Sequence, residues 1–358
     1  MSDILLAKPN LPSDWIDVSV GEPHIVREHL LNVFELNREV PNIPHMYEYP
    51  SPQGYKPLVQ LLEEKYRAPV IVTNGAKQAI GACFYALKQL RKEQVGMKLP
   101  YWALIPPLAE MHGLKCSFTE PDLKFTLPNA QPDCKELRLP EYHDSYLLLA
   151  PNNPCGSCAS AEDLVKTAKA YKEKNIPFIH DAAYYTHIYL PESHALPVVG
   201  DAQIFSVSKM LGLSGLRLGW VVCPNKEFYK LILQYMEDMT VGASIVSQTL
   251  LHQLMNRMHG YPTLVEKFQG LSALSLAESK KIIQKVDPEI LEVSPEVEKI
   301  PGMFGWFKVG PKANFEKAKI NFIDGALFGV PGMVRINLAF DKNQMQEIVD
   351  RLNSAKEP

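Results

Sequence analysis

Short apolar runs alternate along this chain with longer stretches in which apolar residues recur at helical spacing. Val70-Ile71-Val72-Thr73 is a clear strand pattern, and it breaks at Asn74-Gly75 before a helical run over about 77–90. Residues 146–150 read as a strand that stops at Pro151-Asn152-Asn153-Pro154. A helical pattern over about 161–174 follows, with Ser160 as its N-cap. Residues 177–180 end at Asp181, residues 204–206 end at Ser208-Lys209, and residues 220–223 form one more strand. Strands separated by helices predict an α/β fold, with a mostly parallel sheet covered by helices on both faces.

The remainder is patterned differently. A helical stretch over about 225–259 is expected to bridge a large domain to a smaller one. Residues 304–309 and 333–339 are strand candidates, which with flanking helices predict a small α+β domain. The first ~45 residues, rich in proline and asparagine, read as an arm packing on that domain. The expected division is 1–45 for the arm and part of the small domain, 46–255 for the large domain and 256–358 for the small C-terminal domain.

At 358 residues, 46% hydrophobic, the chain can bury a large core and is expected to form two domains, or one large domain with an appendage. A net charge of −3 gives no reason to expect a nucleic-acid partner or a polybasic membrane contact. No run of about 18 apolar residues appears, so no membrane span is expected. The start, Met1-Ser2-Asp3-Ile4-Leu5, does not read as a secretory signal. Six cysteines in a chain this long are not a disulfide framework, and a reducing, cytoplasmic setting is the default. Cys155-Gly156-Ser157-Cys158 is a lone C-x-x-C, without the second pair a zinc site would need. Small buried thiols are the better reading, and no metal is expected.

Candidate chemistry gathers at strand ends. Asn74, Asn153, Asp181 and Lys209 each fall at or just after the carboxyl end of a predicted strand. In open α/β sheets that edge binds ligands. Lys209 taken alone is a solvated surface charge. Its neighbours change that: Ser206 and Ser208 precede it, a glycine-punctuated loop follows, and Arg217 comes eight residues later. A lysine at a rigid strand end can form a Schiff base, and hydroxyls with a guanidinium suit a phosphate. An aldehyde and a phosphate together describe pyridoxal 5′-phosphate.

With these residues in order, the chain resembles the class I/II aminotransferases of PLP fold type I, from about residue 17 to 337. The resemblance implies that Lys209 carries the cofactor aldehyde, with Ser206, Ser208 and Arg217 at its phosphate. It implies that Asp181 pairs with the pyridine nitrogen, and that Tyr184 and Asn153 hydrogen-bond the ring hydroxyl. Gly75 and Ala76 match the backbone turn that cradles the phosphate. Trp102 matches the aromatic stacked on the ring, with Tyr101 as runner-up. Arg335 matches the arginine that grips the substrate α-carboxylate, with Gly21 close by and Asn153 alongside. Tyr49 matches a tyrosine that reaches the phosphate of a neighbouring subunit, which implies a homodimer with shared sites. Two positions depart from the pattern: Cys155 replaces a usual threonine, and Lys77 stands in the phosphate turn where a neutral residue is common.

The implied activity is transfer of an amino group between an α-amino acid and a 2-oxo acid, in two ping-pong half reactions through the Lys209 Schiff base. A lyase or decarboxylase on the same fold would share the cofactor residues. A non-catalytic binding module is disfavoured by the joint presence of Lys209, Asp181, Arg217 and Arg335. No second arginine can be placed to mark a dicarboxylic substrate, so a neutral or aromatic amino donor is expected. Residues 47–55, His24 and Arg27 are candidates for the pocket wall.

Overall fold

The computed structural model describes residues 12–19, 49–119, 143–185, 196–258 and 261–357. Gly21, His24 and Arg27 lie outside them. The strands are Ile16–Asp17 (β1), Val70–Thr73 (β2), Gln94–Lys98 (β3), Lys115–Thr119 (β4), Tyr146–Leu149 (β5), Phe178–Asp181 (β6) and Ala202–Ser206 (β7). They continue with Gly219–Val222 (β8), Leu291–Glu292 (β9), Phe304–Val309 (β10), Ile320–Asn321 (β11), Ile323–Asp324 (β12) and Met333–Asn337 (β13).

The large sheet has the order β2-β8-β7-β6-β5-β3-β4. Its neighbours are parallel except at β8, which runs antiparallel to both β2 and β7. Two reversals cancel, so β2 points the same way as β7, β6 and β5. Helices cover both faces: Lys56–Tyr66 (α1), Ala76–Gln89 (α2), Ile105–Met111 (α3), Ala161–Glu173 (α4), Val207–Met210 (α5), Lys226–Thr240 (α6) and Ile245–Arg257 (α7). The strand period of two divides the core. Val70 and Val72 join Leu58, Leu62, Leu251 and Met255 on one face. Ile71, between them, joins Ile80, Phe84, Phe228 and Met236 on the other. With both faces buried, these strands read as unbroken apolar runs.

The α4 helix begins where its capping signal lies: the Ser160 hydroxyl accepts the Asp163 N–H at 3.1 Å. The stretch expected as one long bridging helix is instead α6 and α7, both on the large sheet. They part at Val241, with φ 60°, and Gly242, where an added Cβ would stand 2.6 Å from the Ser51 carbonyl oxygen. Ser244 caps the second helix. The apolar pattern runs through this turn, which is why periodicity alone fuses the pair. Strands β3 and β4 escape the apolar-run criterion because Gln94, Lys98 and Lys115 occupy their ends.

A second sheet has the order β12-β13-β10-β9 and is antiparallel throughout. Its core includes Phe307, Val334 and Ile336, with Leu276 and Ile283 from Tyr261–Ile283 (α8) and Ile348 and Leu352 from Lys342–Ser354. Val18 is fully buried in this core. The β1 strand pairs in parallel with β11, and the Asn337 N–H donates to the Val18 carbonyl at 3.0 Å.

Candidate active site

The parallel strands β2, β5, β6 and β7 deliver Asn74, Asn153, Asp181 and Lys209 to one edge of the large sheet. Asp181 is the last residue of β6, 2% exposed. One of its carboxylate oxygens accepts the Ala183 N–H at 3.0 Å. Burial pushes its pKa up to about 7, against the lowering effect of that bond. His180, one residue earlier, points to the opposite side of the strand. Its Nε2 lies 2.8 Å from the Ala150 carbonyl oxygen and its Nδ1 2.9 Å from the Gln203 amide nitrogen. Burial lowers the His180 pKa to about 4, so this ring is neutral and ties β5, β6 and β7 together.

The Ser206 hydroxyl caps the short α5 helix, accepting the Ser208 N–H at 3.3 Å, and both serines are buried. Lys209 is in that helix, its Nζ 5.8 Å from the centre of the Tyr184 ring. Across the β7–β8 ladder Ser206 faces Gly219. A Cβ on Gly219 would stand 3.1 Å from the Ala76 nitrogen, so this glycine lets the turn before α2 close on the strand pair. Gly75 opens that turn with φ 89°, in the region that favours glycine. Arg217 completes it: Nη2 would lie 2.9 Å from a Gly75 Cβ and sits 3.4 Å from the Asn74 carbonyl oxygen, while Nη1 donates to the Ser214 carbonyl at 2.9 Å. The sequence-predicted Lys77 is exposed on the first turn of α2.

Trp102 and Ala76 pack on a cluster that holds Leu149, Ala183, Tyr184 and Phe304. Tyr101 turns to stack on Phe118, centroids 4.6 Å apart, which separates the two candidates for the ring-covering aromatic. The Asn153 Nδ2 donates to the Tyr184 hydroxyl at 3.1 Å. Its Oδ1 accepts from Arg335 Nη1 at 2.7 Å. Arg335 Nη2 donates to the Ser19 carbonyl. The guanidinium lies 4.4 Å from the Phe304 ring centre and 5.3 Å from that of Phe328. Burial lowers its pKa to about 10, outweighing support from the Tyr184 and Asp17 oxygens, and Nε is buried with no hydrogen-bond partner among the described residues.

Residues 13–352 match the family described as aminotransferase class I and II. The chain belongs to that family. It is 25% identical over 331 residues to a probable aspartate/prephenate aminotransferase of Aquifex aeolicus, covering 80% of this chain and 76% of that one. It is 24% identical over 308 residues to tryptophan aminotransferase-related protein 3 of Arabidopsis thaliana, covering 79% of this chain and 63% of the relative. The crystal structure of an aspartate aminotransferase from Thermotoga maritima shares the fold, with a TM-score of 0.70 and 22% identity, over 95% of this chain and 92% of that one.

Class I/II aminotransferases use pyridoxal 5′-phosphate, and the residues of this aminotransferase fit it. Asp181 is a buried carboxylate whose pKa no cation among the described residues lowers, so a cationic ring nitrogen would complete it. Gly75, Ala76, Ser206, Ser208 and Arg217 offer the backbone, hydroxyl and guanidinium donors that a phosphate dianion takes.

Tyr49 is 89% exposed on this chain. Cys155 is buried, its thiol donating to Asn152 Oδ1 at 3.1 Å, whereas Cys158 is only half-buried. Three residues in contact with Arg335 were given no role by the sequence reading: Ser19, Phe304 and Phe328. Ser19 meets Arg335 through its carbonyl, which leaves no mark in the side-chain pattern. Phe304 alternates with Trp306 in an apolar strand and looks like core until Arg335 is placed above it.

Proposed function

We propose that this aminotransferase moves an amino group between an α-amino acid and a 2-oxo acid in two ping-pong half reactions, with Lys209 as the covalent anchor and proton carrier. One observation carries the assignment of roles. A continuous path runs from the Lys209 amine to the Tyr184 ring, from the Tyr184 hydroxyl to Asn153, and from Asn153 to Arg335. It links the nucleophile to a cation suited to a carboxylate.

Pyridoxal phosphate, when bound, supplies an aldehyde that joins to amines and a ring that takes up the electron pair left at Cα. The protein's own residues do the rest. Asp181 stabilises positive charge at the pyridine nitrogen. Tyr184 and Asn153 hold the ring oxygen, and Trp102 covers the ring face. Gly75, Ala76, Ser206, Ser208 and Arg217 hold the phosphate, with Lys77 adding charge at the same turn. The Lys209 amine would take the proton from Cα and return it to the carbon that was the cofactor's aldehyde, on the far side of the amino nitrogen. Arg335 makes a planar two-point contact with the α-carboxylate, with Asn153 and Gly21 beside it, and so fixes which Cα bond is broken.

The same reading divides the chain into an arm at 1–45, a large domain at 46–255 and a small domain at 256–358. It places Tyr49 at the cofactor phosphate of a second subunit in a homodimer. No helix among the described residues is long and apolar enough to cross a membrane, and a cytoplasmic setting accords with the abundance of free cysteines. A neutral or aromatic donor suits the aromatic surroundings of Arg335.

Borohydride reduction of the cofactor-loaded protein followed by peptide mapping tests the anchor. The pyridoxyl group is expected on Lys209, and its recovery on another side chain ends the assignment. Single half reactions with a panel of amino acids, followed by absorbance, test the activity. Conversion of the cofactor to its amine form is expected, whereas release of ammonia or carbon dioxide alone would transfer the protein to the lyases or decarboxylases.

A further inference from the structure

Lys280 belongs to no part of the site described so far, yet it is 4% exposed. It lies on α8, and its Nζ donates to the Ile300 carbonyl. Lysines are rarely buried without a task, because a hydrocarbon side chain would fill the same space without the cost of desolvating an ammonium. The Ile300 end of that bond starts a segment that runs directly under the substrate site.

Two residues on, Gly302 meets Gly156 backbone to backbone. The Gly302 N–H donates to the Gly156 carbonyl at 2.9 Å, and a Cβ on Gly302 would stand 2.5 Å from the Gly156 Cα. Gly156 closes the turn that carries Asn153, its N–H donating to the Asn152 carbonyl at 3.0 Å. Two residues further, the Phe304 ring lies beneath the Arg335 guanidinium and meets Tyr184 edge-on, with centroids 5.2 Å apart. The segment 300–304 therefore touches α8, the Asn153 turn, Arg335 and Tyr184 in succession. The same helix grips the far end of this sheet as well: Ser275 and Ser279 both donate to the Phe340 carbonyl at 2.8 Å, just beyond the strand that bears Arg335.

We propose that Lys280 is a positioning residue for the substrate carboxylate, acting through the 300–304 segment to hold Phe304 and the Asn153 turn against Arg335. It touches neither substrate nor cofactor. Losing its N–H frees the Ile300 carbonyl, lets Gly302 lift from Gly156 and loosens the floor under the guanidinium. Burial, which lowers the Lys280 pKa to about 8, accords with an amine held for a single hydrogen bond. The inference rests on the reading of Arg335 as the carboxylate clamp.

The test compares phenylalanine with 2-phenylethylamine, which differ only in the carboxylate, and uses 3-phenylpropanoate as a non-reacting ligand measured by calorimetry on the cofactor-loaded protein. Lys280→Met is expected to weaken 3-phenylpropanoate about tenfold and to lower the phenylalanine-to-amine ratio of kcat/KM by a similar factor, the scale of one lost charge-assisted hydrogen bond. Cofactor affinity stays at the wild-type value. Lys280→Gln, whose amide can donate to Ile300, recovers most of the loss. Gly302→Ala, which attacks the segment at its other contact, gives the same pattern if Lys280→Met does not fold. Equal losses for acid and amine, or unchanged 3-phenylpropanoate binding, overturn the role of Lys280. Arg335→Lys serves as the reference: if it too leaves the ratio unchanged, the clamp reading itself falls. If it alone lowers the ratio, only the Lys280 inference does.

Discussion

The two ends of the site bury opposite charges by opposite means. Asp181, at the cofactor end, sits on a parallel strand with one backbone N–H for company, and burial drives it toward the protonated form. Arg335, at the substrate end, sits on an antiparallel strand wrapped by Asn153, the Ser19 carbonyl and two aromatic faces. Among the described residues no cation lowers the pKa of the first, and the second keeps one guanidinium nitrogen, Nε, without a hydrogen-bond partner. Each is incomplete without what it binds, which is how a protein stores specificity as unsatisfied charge. The cofactor end is built from local strand-end geometry, whereas the substrate end depends on contacts that are distant in sequence.

The sharpest way to break this contrast is at the amine between the two ends. Lys209→Ala is expected to reduce turnover by more than about a thousandfold, because covalent anchoring and proton transfer are lost together. Near-wild-type transamination by that variant would remove the basis for both ends. Asp181→Asn comes next, lowering kcat on the order of a hundredfold by withdrawing the charge that stabilises the ring cation. Its KM for amino acids should change far less. Arg335→Lys should do the reverse, raising KM by about tenfold or more, since an ammonium cannot reproduce the planar two-point contact. Steady-state kinetics on both variants decide whether the ends are separable.

Titration sharpens the comparison in the cofactor-free protein. The folded state holds the Asp181 proton up to a pKa of about 7, well above the 3.8 of an exposed aspartate. The folded chain therefore binds more protons than the unfolded one between these values, and stability falls as pH rises through that window. Thermal melting between about pH 4.5 and 7.5 should show this slope, and Asp181→Asn should flatten it. Cofactor binding should flatten it too, by giving the carboxylate its cation. The smallest effect expected is at Gly75, where alanine would have to adopt φ 89° beside Arg217. Gly75→Ala should cost roughly 1–2 kcal/mol in stability by denaturant unfolding, along with weaker cofactor retention.

The cofactor end was largely legible in the sequence because its residues ride on motifs. Val70–Thr73 with Gly75, and β7 with Ser206, Ser208 and Lys209, sit where apolar runs stop. A strand buried on both faces announces itself, and the polar residue that ends it is easily picked out. Arg335 was legible only through its apolar flanks and the family resemblance. Its partners were not: the Ser19 contact spans more than three hundred positions and uses a backbone carbonyl, and Phe304 and Phe328 are apolar residues that read as ordinary core until the fold sets their rings against the guanidinium. The fused reading of α6 and α7 failed for a related reason: the turn at Val241-Gly242 is set by its approach to Ser51, far away in the chain.

The reversal of β8 has a mechanical consequence. Because that strand folds back along β7, Lys209 and Arg217 project from a single excursion whose two stems are zipped by one ladder. On the proposed assignment, a cofactor joined through its aldehyde to Lys209 and through its phosphate to Arg217 would tie the two shoulders of that excursion together. Loading the vitamin would then stiffen one loop at both ends, and amide protons along it are where that tie would first be felt.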